Sequence, residues 1–283
     1  MKFGLYGINV GPCADPEVSA RVARAAEEAG FDSLWTAEHV VLPDPQVPPS
    51  PVGPRENLLD PLASLAFLAG QTTRVKLATG IVILPQRNPV VLAKELASVD
   101  VLSRGRLVFG IGAGYLEPEF RAIGADFESR GARADEYLEA ILELWTGEPP
   151  AYRGETIAFE GIDAHPRPLQ RPHPPIVVGG YSPPALRRAQ RFGDGWYGFL
   201  RTPELVQQDL AGLARAAGEV DRNAARGALE ISVTPPPGLD AAGVAAYAEA
   251  GVQRLVLLPI ARSGDELVRF VEGAGESLVR KLA

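Results

Sequence analysis

The sequence predicts a (β/α)8 barrel of the TIM type, with a doubly wound open sheet as the competing arrangement. Three observations carry that prediction. Short β-rich apolar runs alternate with longer amphipathic ones from end to end, the pattern of parallel β/α units. Eight such runs can be counted, and the 283 residues suit one barrel, which commonly needs about 250. A single domain spanning the chain is therefore expected.

The predicted strands are Phe3–Ile8, Asp32–Thr36, Val75–Val82, Arg106–Ile111, Pro175–Val178, Gly193–Gly198, Leu229–Val233 and Arg254–Leu258. The first helix follows from its ends. Asp15 can cap it, Pro16 suits its first turn, Val18, Val22, Ala25 and Ala29 form a stripe at helical spacing, and Gly30 stops it. The same signals place helices near Pro61–Gln71, Pro89–Ser103, Ala132–Trp145, Pro183–Phe192, Pro203–Ala217, Ala241–Ala250 and Gly264–Leu282. Two connections are too long for minimal βα loops and are expected over the C-terminal mouth, where barrel enzymes place their chemistry. They are the proline-rich Val40–Asn57 and the mixed-charge Tyr115–Gly131. A third insertion, Glu148–His173, contains a segment, Tyr152–Phe159, that reads as a hairpin.

Composition excludes several classes of function. With 46% hydrophobic and 22% charged residues the chain is globular. A net charge of −7 argues against nucleic-acid binding, which draws on Lys and Arg facing phosphates, and leaves a small molecule as the expected partner. Cys13 is the only cysteine, so no intrachain disulfide or cysteine metal cluster can form, and no metal site is expected. No apolar run reaches the roughly 18 residues that span a bilayer, and the chain is read as cytoplasmic.

The candidate chemical residues fall at the ends of strands. Trp35-Thr36-Ala37-Glu38-His39 leaves the second strand, and Glu38 can orient His39 or raise its basicity. A loop histidine capping a turn is the plain alternative. Gly80 interrupts the third strand, as a bulge or close ligand approach would, or as a glycine packed against a helix. Gly110, Gly112 and Gly114 alternate at the end of the fourth strand; they fit a crowded interior or leave room for a planar ring. Gly179-Gly180-Tyr181-Ser182 leads into a helix start suited to an anion such as phosphate, although Ser182 as an ordinary N-cap explains it too. His165 and His173 lack metal-ligand spacing and are expected at the surface. Trp196 is expected in the core or lining the pocket, and Arg187 or Arg188 is solvated or holds an anionic tail.

Taken together these segments resemble the luciferase-like monooxygenase superfamily, and more narrowly its coenzyme F420-dependent oxidoreductases. The resemblance rests on Trp35–His39, the span from Thr79-Gly80-Ile81 to Asn88-Pro89, Asp100–Arg106 with Gly110–Gly114, and Val178-Gly179-Gly180. It implies a luciferase-type barrel with loop insertions at the mouth, and often a homodimer packed through barrel helices. It also implies that Glu38 and His39 lie beside the deazaflavin ring, with His39 as the acid/base. Thr79, Gly80 and Ile81 would back the ring through a bulge that is commonly a cis peptide. Gly112, Gly114 and Tyr115 would line the cofactor, and Gly179, Gly180 and Ser182 would hold its phosphate. Some sugar-phosphate dehydrogenases of the family carry a catalytic glutamate where this chain has Tyr115, which disfavours that activity. An FMN-dependent monooxygenase and a noncatalytic relative are the alternatives.

Overall fold

The computed structural model describes residues 1–282. The chain opens with strand β1 (Lys2–Tyr6), helix α1 (Pro16–Ala29), β2 (Ser33–Trp35) and α2 (Pro61–Ala69). The third barrel strand is split into β3 (Lys76–Ala78) and β4 (Val82–Ile83), and α3 (Pro89–Leu102), β5 (Leu107–Gly112), α4 (Glu117–Ala122) and α5 (Arg130–Thr146) follow. A hairpin of β6 (Tyr152–Arg153) and β7 (Ala158–Phe159) precedes β8 (Ile176–Gly179), α6 (Pro183–Phe192), β9 (Gly195–Phe199) and α7 (Pro203–Ala217). The chain closes with β10 (Glu230–Thr234), α8 (Ala241–Glu249), β11 (Arg254–Leu257), α9 (Gly264–Ala274) and α10 (Arg280–Leu282).

The sheet order is β3-β2-β1-β11-β10-β9-β8-β5, and pairing of β3 with β5 closes it into a parallel eight-stranded barrel. The open-sheet alternative is thereby excluded. Five helices start with the same device: a polar N-cap followed at once by proline. These are Asp15-Pro16, Asp60-Pro61, Asn88-Pro89, Ser182-Pro183 and Thr202-Pro203. The cap oxygen takes amides of the first turn, and proline removes a donor that would otherwise be orphaned.

All eight predicted strands are present, and so is the hairpin. Two elements differ from expectation. Helix α4 forms inside the segment read as a loop. The last predicted helix is interrupted at Gly275–Val279 by a wider π turn, where a Cβ on Gly275 would lie 2.8 Å from that of Ala29 on α1.

The barrel interior is layered. At its N-terminal end Arg254 makes two 3.0 Å bonds to Asp32 and pairs with Glu230. Above them Trp35 stacks on Tyr197 at 5.0 Å, among Ala78, Val108, Val177 and Val256. Tyr6, Ile81 and Phe199, at the C-terminal ends, are the partly exposed floor of the mouth. The larger apolar core lies between strands and helices. No helix among the described residues is long and apolar enough to cross a membrane.

Candidate active site

The mouth is organised by two segments that follow strands. After β2 the chain leaves regular structure, and the Glu38 and His39 side chains meet different partners. The His39 side chain is 8% exposed and stands between two groups from the β5 connection. Its Nδ1 faces Glu119 Oε2 at 3.3 Å, and its Nε2 faces the Tyr115 hydroxyl at 3.4 Å. Glu119 is fully buried, and its other oxygen accepts the Val40 N–H. The Tyr115 ring meets the imidazole edge-on at 5.9 Å. Burial, and then the Glu119 carboxylate, push the Tyr115 phenol above its usual range.

Glu38 serves a different network. Its carboxylate accepts the Ile83 N–H and a two-pronged contact from Arg87, Nε at 2.9 Å. Arg87 reaches on to Asp60 at 2.6 Å, whose other oxygen caps α2. Burial pushes the Glu38 carboxyl up, against the pull of Arg87 and the Ile83 amide. Glu38 thus ties the β2 exit to the segment after β4 and does not touch His39; the carboxylate that orients the imidazole is Glu119. The expectation that the adjacent acid orients the histidine fails for that geometric reason.

The glycines of β5 answer the shape of the third strand. The Gly80–Ile81 peptide is cis. A Cβ on Gly80 would lie 2.9 Å from the Thr36 carbonyl oxygen, so the backbones approach too closely for any side chain. Thr79 donates its hydroxyl to the Gly110 oxygen at 2.7 Å and accepts the Gly110 N–H at 2.8 Å. A Cβ on Gly110 would fall 1.9 Å from the Thr79 oxygen; one on Gly112 would strike Ile81 at 2.7 Å, and one on Gly114 Ile83 at 2.6 Å. The alternating glycines therefore make room for the Thr79–Ile83 segment, which in turn presents Ile81 to the mouth.

The turn after β8 offers donors. Gly180 has φ +114°, and its Cβ would meet Ala185 at 2.9 Å; Trp196 Nε1 holds its carbonyl at 2.9 Å. The N–H groups of Gly180, Tyr181 and Ser182 have no acceptor among the described residues. The helix itself adds little, because Pro183 and Pro184 lack N–H groups and Ser182 Oγ caps Ala185. The anion-binding capacity thus lies in the turn rather than in the helix end. Arg130 at the start of α5 has no carboxylate partner among the described residues and bonds the Gly114 oxygen at 3.3 Å. It also donates to the Phe127 oxygen at 2.6 Å and lies over the Phe127 ring, and its neighbour Gly131 is tied to α6 by Arg188 at 2.7 Å.

The sequence profile described as Luciferase-like monooxygenase matches residues 7–270. The chain belongs to that family. An uncharacterised protein of Mycobacterium tuberculosis is 32% identical over 267 residues, 89% of this chain and 91% of its own length. The oxygenase component of a flavin-dependent trigonelline monooxygenase from Acinetobacter baylyi is 34% identical over 192 residues, 65% of this chain and half of the relative. An F420-dependent secondary alcohol dehydrogenase superposes with a TM-score of 0.80 over 99% of both chains; at 16% identity that likeness is one of fold.

Within this luciferase-like barrel His39, Ile81, Tyr115, Gly179, Gly180 and Ser182 lie at the strand ends that form the mouth. Glu38, Thr79, Gly112 and Gly114 support the wall behind them. Sequence reasoning left Glu119 without a role and did not single out Arg87 or Arg130. For Glu119 no local signal existed, because its partner His39 lies 80 residues away in the chain. His173 is buried rather than at the surface, stacked on Trp145 and bonded to Pro174 O and Arg226. His165 is exposed beside Asp163. Trp196 is core, while Arg187 and Arg188 pair with Glu219 and Asp135. A separate concavity of about 320 Å³ between the β10–α8 loop and α9 holds none of the mouth residues.

Proposed function

We propose that this luciferase-like enzyme uses coenzyme F420 to exchange a hydride with a small organic substrate. The observation that carries the reading is His39, held at the mouth between a buried carboxylate and a phenol, where a proton can be supplied or taken as the hydride moves. F420, when bound, supplies the hydride chemistry. The chain's own part is to hold and to shuttle. The free amides of Gly180, Tyr181 and Ser182 suit a phosphate, and Arg130, which has no carboxylate partner among the described residues, adds a positive charge. Ile81, Tyr6 and Phe199 offer an apolar floor for a flat ring.

FMN-dependent monooxygenation is the second reading, favoured by the flavin-dependent relative at 34% identity. Titrating the purified protein with F420 and with FMN, read by tryptophan fluorescence or heat, separates them. Tighter F420 binding supports the proposal, preference for FMN moves the assignment to monooxygenation, and binding of neither points to a noncatalytic relative. The same reading takes the protein as a homodimer joined through barrel helices, supported by exposed Phe67 on α2 and Val91 and Leu102 on α3. A monomer in sedimentation at micromolar concentration would overturn that part.

A further inference from the structure

We infer that Glu119, His39 and Tyr115 act as one proton relay whose outer end is the Tyr115 hydroxyl, so that Tyr115 rather than His39 meets the substrate. The inference rests on the reading that substrate is oxidised or reduced at this mouth. It starts from access. Tyr115 is 50% exposed, whereas the His39 side chain is 8% exposed and Glu119 wholly buried. Both imidazole nitrogens are already faced, Nδ1 by Glu119 and Nε2 by Tyr115. A carboxylate only accepts hydrogen bonds, so the neutral ring carries its hydrogen on Nδ1 and leaves Nε2 bare toward the phenol. The contacts of 3.3 and 3.4 Å are longer than optimal, as catalytic contacts are before substrate closes the site.

The bonds balance without any electron transfer inside the relay. When a substrate O–H gives up its proton, the phenol oxygen takes it as the phenol's own O–H bond breaks, and that hydrogen bonds to His39 Nε2. The imidazole becomes a cation with hydrogens on both nitrogens, the Nδ1 hydrogen facing Glu119. Reduction of a carbonyl runs the same bonds backwards. The electron pair that leaves with the substrate's hydride would be taken up by the deazaflavin of the proposed function, whose phosphate the turn after β8 would hold. Glu119 is a positioning residue in this scheme: it selects the tautomer and stabilises the cation.

The chain has three histidines, so its imidazole nitrogens can be resolved by ¹⁵N NMR on histidine-labelled protein. At alkaline pH the His39 ring is expected as the Nδ1–H tautomer. Tyr115→Phe, a change on a half-exposed side chain, should shift the Nε2 resonance and leave the tautomer intact. In Glu119→Gln the Tyr115 phenol, followed by tyrosine ¹³Cζ shifts, should ionise at lower pH than in the parent. An Nε2–H tautomer, or an Nε2 signal indifferent to Tyr115→Phe, would overturn the relay; if Glu119→Gln does not fold, those two results still decide. Repeating the cofactor titration on the Tyr115→Phe protein keeps the questions apart. Loss of binding in both proteins defeats the proposed function, while parent-like binding beside the wrong tautomer defeats the relay alone.

Discussion

At the scale of single residues, His39 and Gly180 make opposite demands on an experiment. His39→Ala should lower turnover about 10²–10⁴-fold, the range for losing a positioned acid–base group, while cofactor affinity stays near the parent value. Steady-state rates beside a binding isotherm check this, and unchanged turnover would remove His39 from the chemistry. Gly180→Ala should instead weaken cofactor binding and cost about 1–3 kcal/mol in a urea melt, because φ +114° is strained for alanine and its Cβ would press on Ala185. How legible these residues were depends on what each one does. His39 and Gly179-Gly180 stood out because few residue types perform proton transfer or adopt that backbone. Glu119 hid because its partner lies eighty positions away in the chain, at a contact that only folding creates. Glu38 misled because adjacency in sequence suggested a contact, whereas its carboxylate is taken by Arg87 and the Ile83 amide.

At the scale of elements, caps and carboxylate clamps govern how the barrel's connections are held. Glu27 on α1 accepts the amides of Thr73, Arg74 and Val75 and the Thr73 hydroxyl, fixing the entry to β3. Burial works to raise this carboxyl, but those bonds prevail and lower it from 4.5 to about 2. A folded value below the unfolded one means a contribution present above pH 4.5 and lost as pH falls toward 2. Glu27→Gln should therefore flatten that part of an acid-denaturation profile; a curve parallel to the parent's would refute the assignment. Arg87 joins the β2 exit, the segment after β4 and the cap of α2. Arg87→Ala should cost about 3–5 kcal/mol, since Glu38 is left buried without its partner, and a chemical melt within 1 kcal/mol of the parent would contradict this. The strands and most helices were readable because apolar period and cap–proline pairs are local signals. Helix α4 was not: it is short, its cap residue Leu116 makes no side-chain bond, and proline and glutamate crowd its start.

For the whole molecule, closure depends on a charged plug as much as on the β3–β5 seam. Arg254, Asp32 and Glu230 draw together three strands at the end of the barrel remote from the mouth. Arg254→Ala should lower the midpoint of thermal unfolding by several degrees, an effect of about 3–5 kcal/mol, while cofactor binding in the surviving folded protein is unaltered. An unshifted melt would show that the strands close without the plug. The closed barrel was expected from the count of strands, whereas this plug was not, because Asp32, Glu230 and Arg254 carry no common motif and meet only when the sheet curls. A second clasp sits at the opposite end, beneath the proline-rich segment. Asn9 is wholly buried; its side chain binds the carbonyls of Ala37 and Leu59 and the Ala37 amide, and its backbone oxygen takes the Leu59 amide. The proline-rich segment thus leaves and rejoins the barrel at one fastened point, like a bag on a drawstring. A change in the length of the segment between those two points would leave the strands beneath it fastened, because the clasp is made by residues outside the segment.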